Sequence, residues 1–134
     1  MKRIEHIGIA VSDIKKSNKL FKKIFGKENF KEEIVESEGV VTSFFQIGPN
    51  KIELVAAVDI DSPISSYLEK NREGMHHIAF DVDDIKKEMD RIKKQGIRLL
   101  NDLPKKGADN KLICFLHPKD TNGVLIELCQ GINQ

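Results

Sequence analysis

No charge of one sign dominates this chain: 22 lysines and arginines stand against 21 aspartates and glutamates, for a formal net charge of +1. With no basic arm or stripe, nucleic acid is not an expected partner. Long apolar runs are missing too. They reach about five residues, against the roughly 20 that a membrane-spanning helix needs, so no membrane partner is expected. The opening MKRIEHIGIAV has no cleavable apolar segment, which leaves no case for export and points to the cytoplasm. Cysteine is scarce. Cys114 and Cys129 are not spaced as a C-x-x-C knuckle, so they hold no metal by that route. They lie in apolar, strand-like stretches and could face each other across a hairpin, yet a cytosolic setting predicts reduced core thiols. What remains, 40% hydrophobic and 32% charged, is the composition of a folded domain rather than a disordered segment. A length of 134 residues allows one domain, or two small halves sharing one core.

A repeat is present. His6-Ile-Gly-Ile-Ala-Val-Ser-Asp-Ile14-Lys-Lys aligns with His77-Ile-Ala-Phe-Asp-Val-Asp-Asp-Ile85-Lys-Lys, 71 residues later. Lys51-Ile-Glu53-Leu-Val aligns with Leu125-Ile-Glu127-Leu-Cys, 74 residues later. Matching features in the same order in both halves mark a tandem duplication.

Within each half the order of elements can be read. Residues 4–11 and 77–82 are β-branched and apolar, as strands are. Asp13, and Asp83 or Asp84, then offer capping oxygens to a helix. The first helix is expected to turn Ile14, Leu20, Phe21, Ile24 and Phe25 inward and to stop at Gly26; the second turns Ile85, Met89 and Ile92 inward and stops at Gly96. Strands are expected near 30–36, 40–47 and 51–57, with a turn at Gly48-Pro49-Asn50, and again near 97–101, 111–116 and 123–129. Ser62-Pro63 opens a short helix through Tyr67 and Leu68. Each half thus reads β-α-β-β-β: residues 1–57, then a connecting segment 58–75, then 76–134. Neither half has the apolar surface to stand alone.

Side chains alternate between the faces of a strand. Ile7, Ile9 and Val11 point one way, and His6, Gly8 and Ala10 the other. Likewise Ile78, Phe80 and Val82 oppose His77, Ala79 and Asp81. Both histidines therefore share a face with small residues, which leaves room beside each ring. Glu53 lies between Ile52 and Leu54, and Glu127 between Ile126 and Leu128. A carboxylate inside an apolar strand is costly unless a charge or donor meets it. Taken singly, each of these residues is better read as an ordinary polar position. As a repeated His/Glu pair they favour a metal site, since two imidazoles and two carboxylates suit one divalent ion such as Co, Ni, Mn or Zn. His76 and His117 do not recur in the other half and stay outside this set. The paired lysines at 15–16, 22–23 and 93–94 read as solvated helix faces.

These residues carry a resemblance. Paired βαβββ modules with His and Glu on the inward strands resemble the vicinal oxygen chelate (glyoxalase-like) superfamily, and most of all its methylmalonyl-CoA epimerase family. The likeness rests on His6-Ile-Gly-Ile-Ala-Val, Asp61-Ser-Pro-Ile64 with Tyr67-Leu-Glu-Lys70, Gly74-Met-His-His-Ile-Ala-Phe80, Phe115-Leu-His-Pro-Lys119 and Gly123-Val-Leu-Ile-Glu-Leu128. It implies an α+β fold in which the tandem modules form a mixed, curved sheet within a single domain spanning 1–134. It implies His6, His77 and Glu127 as metal ligands, with Glu53 at a fourth, more variable position. It also implies an acyl-CoA substrate and a homodimer.

The activity so implied is the interconversion of the 2R and 2S forms of methylmalonyl-CoA through an enolate stabilised by a divalent ion. A carboxylate removes the C2 proton, with Glu127 the first candidate base and Glu53 the second. Lys111 and Lys119, on or near loops, are candidates for holding an anionic acyl or CoA group, although solvated lysines are the plainer reading. His117, before Pro118 in a loop, could lie by the substrate or at the surface. One departure stands out: some bacterial epimerases use a glutamate after the Gly-Val-Val step, and Gly39-Val40-Val41 here is followed by Thr42. Glyoxalase I, with a similar ligand set, is the rival enzyme. A bleomycin-resistance-type binding protein is the rival outside catalysis, disfavoured because this chain keeps all four ligand-type residues.

Overall fold

The structure, a computed structural model, describes residues 1–132. Its elements are β1 (Arg3–Ala10), α1 (Ile14–Phe25), β2 (Lys31–Val35), β3 (Val40–Ile47), β4 (Asn50–Ala57), α2 (Pro63–Asn71), β5 (Gly74–Asp81), α3 (Ile85–Lys94), β6 (Lys105–Lys106), β7 (Lys111–Phe115) and β8 (Ile126–Gly131). The order β-α-β-β-β occurs twice, with α2 between the two runs. Two compact units result: Ile7–His76, and Met1–His6 together with the chain from His77 onward. Strand β1 contributes to both.

In the Ile7–His76 unit the strands lie in the order β2-β3-β4-β1. The β3–β4 hairpin closes through Gly48 and Pro49, with Ile47 opposite Asn50 and Gly48 at φ 58°, a left-handed conformation that glycine adopts without steric cost. Asp13 caps α1 by accepting from the Lys16 N–H at 3.0 Å. Gly26, left-handed at φ 72°, ends the helix by donating to the Lys22 carbonyl. Helix α1 lays Ile14, Phe21 and Phe25 on a core of Val11, Val41, Phe45, Leu54 and Ala56. Leu20 and Ile24, expected to point inward, are instead 53% and 61% exposed. The buried stripe is set by the spacing of Ile14, Ser17, Phe21 and Phe25, and Leu20 and Ile24 sit on its flank.

The other unit repeats this arrangement, in the order β1-β5-β8-β7-β6. Asp84, not Asp83, caps α3 through the Lys87 N–H at 3.1 Å. Helix α3 buries Ile85, Met89 and Ile92 against Cys114, Leu116 and Leu128, each apolar side chain contributing about 1.5–3 kcal/mol. Strand β5 runs parallel to β8, while β7 is antiparallel to both β8 and β6, so the sheet is mixed. The duplication is visible in single hydrogen bonds: Val11 N–H donates to the Val55 carbonyl at 2.9 Å, and its counterpart Val82 N–H to the Cys129 carbonyl at 2.9 Å.

One strand differs from expectation. Residues 97–101 make only a bridge between Leu99 and Leu116, and the edge strand is the two-residue β6. Side chains take the places of ladder partners here. Arg98 N–H donates to the Asp120 carboxylate at 2.8 Å, and Phe115 N–H donates to the Asn101 side-chain oxygen at 3.1 Å. Strand β8 likewise starts at Ile126 rather than near 123, after a turn through Asn122 and Gly123, both at positive φ.

The cysteines do not face each other. Cys114 stands opposite Leu128 and Cys129 opposite Ile113, one residue out of register, so the two thiols lie on opposite faces. Both are free and fully buried. Burial pushes the Cys114 thiol up to about 11 despite nearby Lys105, and burial together with the charges of Glu127 and Glu5 pushes Cys129 up further. The native protein should therefore leave both thiols unmodified by Ellman's reagent at neutral pH, with two equivalents reacting after unfolding. One equivalent reacting at native rates would contradict this placement.

Candidate metal centre

Strand pairing brings the predicted site residues of the second half together. Ala79 on β5 stands opposite Glu127 on β8, and Glu127 in turn opposite Phe115 on β7. His77 lies two residues before Ala79 and so on the same face of β5. Ala79, wholly buried, has only a methyl group, which leaves room for the Glu127 carboxylate to reach the imidazole. The His77 ring meets Phe115 edge-on, with centroids 6.1 Å apart.

His6, at the end of the β1 segment in the same unit, completes the group. Its Nε2 lies 3.1 Å from the Nε2 of His77, with the rings nearly perpendicular at 88°. The Glu127 carboxylate straddles the pair: Oε1 is 3.5 Å from His77 Nε2 and Oε2 is 3.8 Å from His6 Nε2. One ligand atom from each of the three residues falls within 4.8 Å of the others, and all three side chains are buried.

The donor set fits a borderline divalent ion. Two nitrogens held at about 2.1 Å from one ion lie about 3.0 Å apart at a right angle and about 3.4 Å apart at a tetrahedral angle. The 3.1 Å between the two nitrogens falls near the first value, while the carboxylate oxygens, 3.5 and 3.8 Å from those nitrogens, stand close to and beyond the second. A carboxylate only 5% exposed would be costly without a cation or donors around it.

The remaining predicted residues are placed as follows. Glu53 belongs to the Ile7–His76 unit, buried at mid-β4 opposite Phe44. Thr42 is buried on β3, its hydroxyl donating to the Glu33 carbonyl at 3.3 Å. His117 caps the short turn Pro118–Asp120, its Nδ1 accepting from the Lys119 N–H at 3.2 Å. Lys119 is exposed. Lys111 is largely covered, with Nζ 4.0 Å from the Glu5 carboxylate. His76 packs edge-on against Tyr67, with centroids 4.7 Å apart.

Glu5 is the participant that the sequence reading missed. Its counterpart in the repeat is His76, so no second carboxylate marks the position. Yet it is 1% exposed, and its Oε1 lies 3.0 Å from His6 Nδ1. Its Oε2 faces Arg3 at 3.5 Å and Lys111 at 4.0 Å. The available signal was a charged residue directly before a site histidine within an apolar strand.

Comparison with known proteins identifies the family. Residues 5–115 match the model of the Glyoxalase/Bleomycin resistance protein/Dioxygenase superfamily. The chain is 41% identical to the mitochondrial methylmalonyl-CoA epimerase of Homo sapiens, over 96% of this chain and 74% of that protein. It is 40% identical to the ethylmalonyl-CoA/methylmalonyl-CoA epimerase of Cereibacter sphaeroides, over 96% of this chain and 97% of that one. A Streptomyces coelicolor methylmalonyl-CoA epimerase solved with 2-nitronate-propionyl-CoA superposes with a TM-score of 0.95 at 36% identity, covering 99% of both chains. With its duplicated βαβββ fold and these relatives along nearly its whole length, the chain belongs to the glyoxalase/bleomycin resistance protein/dioxygenase superfamily and, within it, to the methylmalonyl-CoA epimerase family.

Proposed function

We propose that this protein is an epimerase that interconverts the 2R and 2S forms of methylmalonyl-CoA with the help of one divalent metal ion. The observation that carries the reading is the convergence of His6 Nε2, His77 Nε2 and the Glu127 carboxylate in one buried cluster. Its support from relatives is that epimerases of this substrate class share the fold and most of the chain. No helix among the described residues is long and apolar enough to cross a membrane. We take the protein to be cytoplasmic and a homodimer.

His6, His77 and Glu127 would hold the ion, with Glu53 as fourth ligand, and Co, Ni, Mn and Zn all suit this donor set. When bound, such an ion supplies Lewis-acid stabilisation for negative charge developing on a thioester oxygen. The chain's own residues supply the rest. Glu127 accepts the C2 proton; one oxygen of the carboxylate that straddles the two imidazoles would turn toward substrate to do so. Glu53 is the second candidate for proton transfer, Thr42 having no group that ionises near neutrality. Exposed Lys119 offers its ammonium to the anionic end of an acyl-CoA. Lys111 and His117 would contribute from positions where they already hold Glu5 and the turn after β7.

The test is exchange of the C2 proton. Metal-loaded protein in deuterated buffer should place deuterium at C2 of methylmalonyl-CoA and equilibrate its two epimers, read by mass spectrometry and chiral coupling to a stereospecific mutase. Absence of exchange, together with rapid isomerisation of the methylglyoxal–glutathione hemithioacetal, would reassign the site to glyoxalase chemistry.

A further inference from the structure

A carboxylate cannot donate a hydrogen bond, so the 3.0 Å contact between Glu5 Oε1 and His6 Nδ1 requires the proton on the imidazole nitrogen. The neutral ring so arranged leaves its lone pair on Nε2. That is the atom 3.1 Å from His77 Nε2 and 3.8 Å from Glu127. We infer that Glu5 is a positioning residue, holding the His6 ring in the Nδ1–H tautomer and aiming Nε2 at the metal position. The inference rests on the metal reading of the site given above, and assigns to it a residue that the repeat does not contain.

Glu5 is itself held. Arg3 Nη2 and Lys111 Nζ lie at 3.5 and 4.0 Å from Oε2, leaving Oε1 for the imidazole. Arg3 is anchored in turn by Asp81, whose carboxylate lies 3.4 Å from its Nε. A carboxylate that is 1% exposed would be an expensive way to cover surface. Its two oxygens have different tasks: one meets cations, and the other directs a ring. Carboxylates behind metal-bound histidines fix the tautomer and ring orientation, and losing one typically weakens metal binding about tenfold to a hundredfold.

The test compares wild type with Glu5→Gln and Glu5→Leu. Long-range proton–nitrogen spectra of imidazole-labelled, metal-free protein read the tautomer, and titration with cobalt or zinc reads the affinity. We expect His6 to be Nδ1–H in wild type and in Glu5→Gln, whose amide oxygen still accepts. In Glu5→Leu we expect the tautomer signal to be lost and the cobalt dissociation constant to rise about tenfold to a hundredfold. Glu5→Gln should fall between. A purely structural role would lower the urea midpoint of both variants without moving the tautomer. Cobalt affinity and His6 tautomer unchanged in Glu5→Leu would overturn the inference alone. Failure of wild type to bind either ion would remove the metal reading and the inference with it.

Discussion

Glu127→Gln should lower the rate of C2 proton exchange by about 10²–10⁴-fold while leaving the protein folded and still able to bind cobalt. Glutamine has the volume of glutamate, so the packing of β8 between β5 and β7 is kept. Its amide oxygen can still meet a metal ion, but it cannot take a proton from carbon. The variant therefore separates two roles that a single carboxylate combines. Exchange in deuterated buffer gives the rate, and cobalt titration gives the occupancy. If the variant exchanged within tenfold of wild type, Glu127 would be a ligand only, and Glu53→Gln would be the next variant to assay. If occupancy vanished as well, the negative charge itself would be what the ion requires.

A second large effect is expected in stability. A ligand that binds only the folded state stabilises it in proportion to the logarithm of its excess over the dissociation constant, about 4 kcal/mol at a thousandfold excess. For a chain of this size that raises the unfolding midpoint by on the order of 10 °C. His77→Ala removes one of the two nitrogens that stand 3.1 Å apart. Its midpoint should not move when cobalt is added, whatever its own starting stability. The difference between scans with and without metal is the quantity to read, because removing one of the two imidazoles beside Glu127 also changes the metal-free state. An equal rise in wild type and His77→Ala would place the ion elsewhere.

Much of this was legible in the sequence because the chain states it twice. A single histidine in a strand says little; a histidine recurring 71 residues later, with a small residue two positions on and before the same aspartate cap, says where both sit. The structure realises that register in the caps of Asp13 and Asp84 and in the matched bonds of Val11 and Val82. What the repeat does not contain was harder to see. Glu5 has no twin, its counterpart in the other half being His76. Leu20 and Ile24 are apolar but lie off the axis of the buried stripe, and composition alone does not distinguish a flank from a face. The expected strand at 97–101 failed for another reason. Asp120 and Asn101 satisfy its neighbourhood with side-chain oxygens, and hydrogen bonds made by side chains distant in sequence leave no periodic trace.

The one-residue offset between Cys114 and Cys129 also has a practical consequence. A bridge between them would require β7 to slide by a residue against β8, turning Lys111, Ile113 and Phe115 to the opposite face, so oxidants have no easy route to cross-link the native chain. Two silent thiols make a quiet background for chemical labelling. A cysteine introduced at Ile60, 81% exposed and on no strand or helix, could carry a fluorophore or spin label without either native cysteine being replaced.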